Sequence, residues 1–301
     1  MCRLGTVMKK CIDIDYTSND GLKLYARDYN VSARQTIICI PGLTRNSKDY
    51  LDFCGYFSTE YRVIAVDLRG RGKSQYDDNV INYNPLTYAQ DILQLIHYLN
   101  INDVILVGTS LGGLVSMILS NLAPGLIKGI VLNDIGPEIN PIGVDRIKSY
   151  VGKASVFHSW ADAVASVRSV HGSELPGMTD AQWLSFTKGL MNESESGEIT
   201  FAYDIKIAQW ISDKDDSPKQ ADLWPQFDNM LDVPLLVIRG AHSDILDIQC
   251  VNKMRNKHHC MQYCEIKQRG HTPMLNELES IAALDDFFRD LCFQSTLSKA
   301  L

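Results

Sequence analysis

Apolar residues fall along this chain in two rhythms. Near-continuous apolar runs at residues 36–40, 62–66, 104–107, 128–133 and 233–238 read as strands buried on both faces, since a half-exposed strand would alternate. Between them, residues 88–99 carry Ile92, Leu93, Leu95, Ile96 and Leu99 at helical spacing, and residues 111–122 repeat that stripe. Strands alternating with helices predict a mostly parallel central sheet flanked by helices. Ahead of this unit, residues 11–16 and 22–29 alternate around Ser18-Asn19-Asp20-Gly21, which predicts an antiparallel hairpin at one sheet edge. Behind it come a helix at 248–256, a last strand at 261–266, an amphipathic helix at 278–291 and a polar tail at 295–301.

The rhythm fails between residues 135 and 230. That stretch has no convincing buried strand, yet it holds all four tryptophans (Trp160, Trp183, Trp210, Trp224) and polar breaks at 192–197 and 212–219. A helical insertion of this kind in a sheet protein reads as a lid, with at least three of the tryptophans as its own core. The expected organisation is therefore an α/β core from residues 1–134 and 231–301 and a helical lid from 135–230.

Composition narrows the class. The 301 residues are 45% hydrophobic and 22% charged, as in globular proteins, and the net charge of -7 argues against nucleic acid or an anionic membrane as partner. No apolar segment approaches the roughly 20 residues that span a bilayer, and the N-terminus lacks a signal-peptide core, so the cytoplasm is the expected location. Several of the eight cysteines, such as Cys39, lie inside apolar runs and read as small buried hydrophobes of a reduced protein. His258, His259 and Cys260 are poor zinc ligands, because adjacent residues on a strand face opposite ways. Nothing in the sequence fixes an oligomeric state.

Candidate chemistry begins at the strand-to-helix junction. Gly108-Thr-Ser110-Leu-Gly112 stands between the strand at 104–107 and the helix at 111–122, the pattern of a nucleophile elbow, in which small neighbours let the chain turn sharply with the hydroxyl outward. A serine hydroxyl needs a base within hydrogen-bond reach and a third group to orient that base. His271, beside Gly270 in the loop after 261–266, is the expected base. Asp244, in the loop after 233–238, is the expected acid; Asp247 on the same loop and Asp134 after the preceding strand compete with it. For an oxyanion hole, the backbone N–H of Leu111 follows the nucleophile, and that of Leu43 follows Pro41-Gly42.

Taken together, Ile-Pro-Gly-Leu43, Asp67-Leu-Arg-Gly-Arg-Gly-Lys-Ser74, the elbow, the Asp244 loop and Gly270-His271 resemble the α/β-hydrolase family in its lid-bearing branch of esterases, lactonases, C–C bond hydrolases and perhydrolases. The run from Val131 to Glu138 also looks like a set of bacterial hydrolases. The resemblance covers nearly the whole chain and departs from it at Pro41, where many members have histidine. It implies acyl transfer from a small carboxylic ester to water by Ser110, His271 and Asp244, with no metal or organic cofactor required. Asp67 and the arginines after it are expected to hold their loop rather than to touch substrate. The competing readings are C–C hydrolysis of a vinylogous diketone, perhydrolysis, and a catalytically silent binding module. A membrane-surface lipase is disfavoured by Lys214, Asp215, Asp216, Lys219 and Asp222 in the insertion.

Overall fold

The computed structural model describes residues 10–211 and 222–297, with side chains to residue 292. Cys2, the polar break at 212–219, including Lys214, Asp215, Asp216 and Lys219, and the chain after residue 297 lie outside the described residues.

Strands β1 (Cys11–Thr17) and β2 (Lys23–Tyr29) form the expected hairpin, with Cys11 opposite Tyr29. Ser18 closes its turn, accepting the Leu22 N–H at 2.8 Å. After β3 (Thr36–Ile40), a 3-10 turn at Ser47–Tyr50 runs into helix α1 (Leu51–Phe57), which the apolar pattern did not announce. Then follow β4 (Arg62–Asp67), α2 (Pro85–Tyr98), β5 (Val104–Thr109), α3 (Leu111–Leu122) and β6 (Ile127–Asn133). Helix α2 starts where it does because Asn84 caps the Thr87 N–H and Pro85 cannot donate to a preceding turn.

Between β6 and the next strand of the sheet lie α4 (Pro141–Lys148), β7 (Val156–Phe157), α5 (Trp160–His171), α6 (Asp180–Leu190), β8 (Met191–Glu193), β9 (Ile199–Phe201) and α7 (Trp224–Asp228). The three strands make a small antiparallel sheet in the order β7-β9-β8, where only helices were expected. Strands this short leave no periodicity to read. Trp183 is buried in the core of this insertion and Trp160 packs on that core, but Trp210 and Trp224 pack against the main core, so two tryptophans, not three, belong to it.

The chain returns to the sheet with β10 (Leu235–Gly240), α8 (Ile248–Lys257) and β11 (Gln262–Ile266), and closes with α9 (Leu278–Leu297). The last helix therefore continues into residues expected as a polar tail. No helix among the described residues is long and apolar enough to cross a membrane.

The eight strands order as β1-β2-β4-β3-β5-β6-β10-β11, antiparallel at the hairpin and parallel from β4 onward. Successive residues of β3 explain its unbroken apolar run. Ile38 and Ile40 join the layer under α2, α3 and α8, whereas Ile37 and Cys39 join Phe53, Phe57, Phe287 and Phe288 under α1 and α9. Both faces of the strand are covered, and each fully buried side chain contributes about 1.5–3 kcal/mol. The C-terminal ends of β3, β5, β6, β10 and β11 thereby share one rim of the sheet.

Candidate active site

At the end of β5 the chain reverses into α3 through Ser110, whose φ of 51° and ψ of -115° are uncommon for a residue with a side chain. A Cβ on Gly108 would strike the backbone of Gly112 and Gly113, and one on Gly112 would strike the carbonyl of Ile40. The two glycines are thus fixed by how closely β5, α3 and the end of β3 approach.

Ser110 Oγ lies 2.8 Å from His271 Nε2, and His271 Nδ1 lies 2.8 Å from Asp134 Oδ2. In the neutral tautomer that fits these contacts, Nδ1–H donates to Asp134 and the serine hydroxyl donates to Nε2. Asp134 is fully buried and follows β6 directly. Its carboxylate also accepts the Gly240 N–H at 2.8 Å and the Ser243 hydroxyl at 2.7 Å, so the charge is met by three donors from two loops.

Asp244, the acid expected from the sequence, does not hydrogen-bond to His271. Both of its carboxylate oxygens accept from Arg146 of α4, at 2.5 and 2.8 Å, and its carbonyl accepts from the Gly143 N–H. Burial pushes the Asp244 carboxyl up, but the Arg146 contact, helped by His271, outweighs it and holds it below the usual value. The physical reason for the correction is the sheet itself. β6 and β10 are parallel neighbours with Asn133 level with Ile238, so an acid after either strand emerges on the same rim. Asp134 stands nearer the strand end. Asp247, the other competitor, takes the Asn140 side-chain amide.

The His271 loop is held from two sides. Asn133 donates to the Pro273 carbonyl at 2.9 Å, while Glu174 of the insertion accepts the Gly270 N–H on its carbonyl and the His271 N–H on its carboxylate, at 2.8 and 2.9 Å. Leu111 opens α3, where first-turn amides have no intrahelical acceptor. Leu43 lines the cavity beside Ser110, its carbonyl fixed by Arg71 Nε at 2.9 Å. Among the described residues neither the Leu43 nor the Leu111 amide has a hydrogen-bond acceptor. Asp67 accepts the Ser47 and Lys73 amides, and Arg69 pairs with Asp20, Asp77 and Asp91, so both stabilise loops away from the serine.

A cavity of about 390 Å³ opens over Ser110 and His271, lined by Leu43 on the core side and by Ile147, His171 and Phe186 of the insertion. His171 stacks edge-on between Tyr150 and Phe186. Burial, then the charges of Arg45, Arg146 and His271, push its pKa down to about 3, so the ring is neutral. His171, Arg45 and Glu174 were not singled out from the sequence as site residues, and no local motif marks them. Among the described residues no group of three or more histidines, cysteines or carboxylates could hold a metal ion, and His258 Nε2 lies 2.9 Å from the Val233 carbonyl.

Comparison with known proteins agrees with this architecture. The model of the alpha/beta hydrolase fold matches residues 35–278. The chain is 30% identical over 264 residues to a 3-hydroxybutyrate-oligomer hydrolase of Cupriavidus necator, covering 84% of this chain and 88% of that one. It is 27% identical over 212 residues to a 2-(acetamidomethylene)succinate hydrolase of Mesorhizobium japonicum, covering 70% and 72%. A crystal structure of an alpha/beta hydrolase from Novosphingobium aromaticivorans superposes with a TM-score of 0.87 at 38% identity, over 94% of this chain and 99% of that one. From the sheet order, the elbow and these matches, the chain belongs to the α/β-hydrolase fold family.

Proposed function

We propose that this protein hydrolyses a small carboxylic ester through an acyl-enzyme on Ser110, with His271 as base and Asp134 in the place first expected of Asp244. The observation that carries the reading is the unbroken path from Ser110 Oγ through the imidazole to a buried carboxylate, each link 2.8 Å long. His271 takes the serine proton as Oγ attacks the ester carbonyl, and Asp134 holds the tautomer and stabilises the imidazolium. The backbone N–H groups of Leu43 and Leu111 hold the developing oxyanion. Collapse of the tetrahedral species breaks the ester C–O bond, and His271 returns the proton to the departing alkoxide. Water then repeats the sequence on the acyl-enzyme and frees the acid.

Residues 135–230 act in this reading as the lid that shapes the cavity, and the setting is the cytoplasm. The name of the Cupriavidus relative supports an ester of a short hydroxyacid as the substrate class.

The test is hydrolysis of p-nitrophenyl esters of increasing acyl length, with Ser110→Ala as control and an organophosphonate label for the serine. Turnover that the variant abolishes supports the ester reading. Labelling of Ser110 without turnover of any ester would move the assignment to C–C bond hydrolysis on the same residues, and absence of labelling would point to a silent binding module.

A further inference from the structure

Three side chains outside the proposed triad join the strand ends that carry it. Tyr50 closes the 3-10 turn ahead of α1 and is buried. Its hydroxyl donates to the Ile40 carbonyl at 2.8 Å, nearer than that of Val107 at 3.4 Å, and lies 2.9 Å from Thr109 Oγ1. Asn133 Nδ2 in turn donates to Thr109 Oγ1 at 3.2 Å and to the Pro273 carbonyl at 2.9 Å. One assignment of protons satisfies all of the close contacts. With the Tyr50 proton on Ile40, the Thr109 hydroxyl donates to Tyr50, and its oxygen accepts from Asn133. Burial pushes the Tyr50 hydroxyl well above its ordinary pKa, so it keeps that proton.

Place in the chain gives this relay its meaning. Thr109 directly precedes Ser110, Asn133 directly precedes Asp134, and Pro273 follows His271 by two residues. Ile40 ends β3 three residues before Leu43, and a Cβ on Gly112 would strike its carbonyl, so it also abuts the first turn of α3. Every proposed participant in the chemistry except Leu111 thus follows or precedes a member of one hydrogen-bonded set by three residues or fewer. β3, β5 and β6 are already neighbours in the sheet, whereas Pro273 lies beyond β11 in no strand, and Asn133 ties it to β6. The arrangement has a cost. Asn133 Oδ1 is buried with no hydrogen-bond partner among the described residues, and an unpaired buried acceptor is unfavourable. An apolar residue of similar size would avoid that cost but could not join Thr109 to Pro273.

We propose that Tyr50, Thr109 and Asn133 are positioning residues that set the separations between Ser110, the Leu43 amide and His271. This rests on the serine-hydrolase reading above. Attack by Oγ, proton transfer to Nε2 and capture of the oxyanion must meet in one geometry, and a misplacement of about 1 Å costs on the order of 10² in rate. All three residues border the cavity. A contact with substrate would show in KM, whereas positioning shows in kcat.

The test removes one polar group at a time with little change of shape. Tyr50→Phe, Thr109→Val and Asn133→Leu are each expected to lower kcat for a p-nitrophenyl ester about tenfold with KM nearly unchanged, and to slow phosphonate labelling of Ser110 in parallel. Thr109→Ser keeps the hydroxyl and should restore most of the loss. Tyr50→Phe combined with Thr109→Val should cost less than the product of the single losses, because both break the same relay. Urea unfolding confirms that each variant is folded where its rate is measured, and the two hydroxyl variants suffice where Asn133→Leu does not fold. Unchanged kcat and labelling in Tyr50→Phe would overturn the proposal. So would equal losses in Thr109→Ser and Thr109→Val, losses that multiply in the double variant, or changes confined to KM. If the wild type is labelled but hydrolyses no ester, the ester reading falls and the labelling rates decide this proposal. A wild type that is not labelled would overturn the serine-hydrolase reading and the proposal with it.

Discussion

Glu174 of the insertion accepts the backbone N–H of His271 on its carboxylate, 2.9 Å away, so the loop that carries the proposed base is braced by a residue from outside the sheet. Removing that acceptor leaves a partly buried N–H unpaired, at a cost of about 1–3 kcal/mol, and lets the imidazole drift from Ser110. Glu174→Ala is therefore expected to lower kcat about tenfold or more with little change in KM, and Glu174→Gln, which keeps a carbonyl acceptor, should restore most of it. Steady-state ester hydrolysis checks this; identical losses in the two variants would show that the brace is unimportant.

The two candidate acids separate cleanly by substitution. Asp134→Asn should reduce kcat by a factor on the order of 10³–10⁴, as loss of the orienting carboxylate does in serine hydrolases generally. Asp244→Asn should cost less than about tenfold, because that residue contacts Arg146 rather than His271. The reverse order of effects would return the acid to the loop after β10.

Arg71 reaches the site only through backbone. It is fully buried and donates to the carbonyls of Leu43 and Arg69 and to the Tyr88 hydroxyl. Arg71→Lys cannot make this set of contacts from one ammonium, so the Leu43 loop should loosen. We expect about a tenfold fall in kcat with phosphonate labelling slowed in parallel, since both need the oxyanion donors. Unchanged labelling would remove Leu43 from that role.

His171 gives a pH signature in stability. Its pKa falls from 6.5 unfolded to about 3 folded, because burial and then the charges of Arg45, Arg146 and His271 disfavour its cation. Above pH 6.5 both states are neutral and the residue contributes nothing. As the pH falls below that value the unfolded chain binds a proton that the folded one refuses, and stability is lost down to about pH 3. His171→Asn removes this linkage, so the variant should gain about 1–2 kcal/mol on the wild type between pH 7 and pH 5. Urea unfolding at the two pH values measures it, and a constant difference would refute it.

How much of this was legible beforehand follows from which distances the residues span. Strands β3, β5 and β10 announce themselves because both faces are buried, and Ser110 does so because Gly108 and Gly112 are required by backbone contacts within a few residues or at the end of β3. Local spacing points to Asp244, whereas the structure brings Asp134 to His271, because the choice depends on which side chain reaches the imidazole and local spacing does not encode that. Arg45 and Glu174 carry no motif. Their significance comes from Phe186 and His271, brought near only when the insertion folds over the sheet.

Asp134 is joined to the sheet by its own amide, which donates to the Ile238 carbonyl of β10 at 2.7 Å. Its position is consequently governed by strand register rather than by a loop, and it should be among the last parts of the proposed site to lose alignment on warming. Asp244 itself makes no hydrogen bond to the imidazole, although its neighbour Ser243 remains tied to the Asp134 carboxylate. The Asp244 carboxylate serves instead as a fastening for α4, whose Ile147 lines the cavity, so the cavity wall and the proposed proton path rest on two different carboxylates.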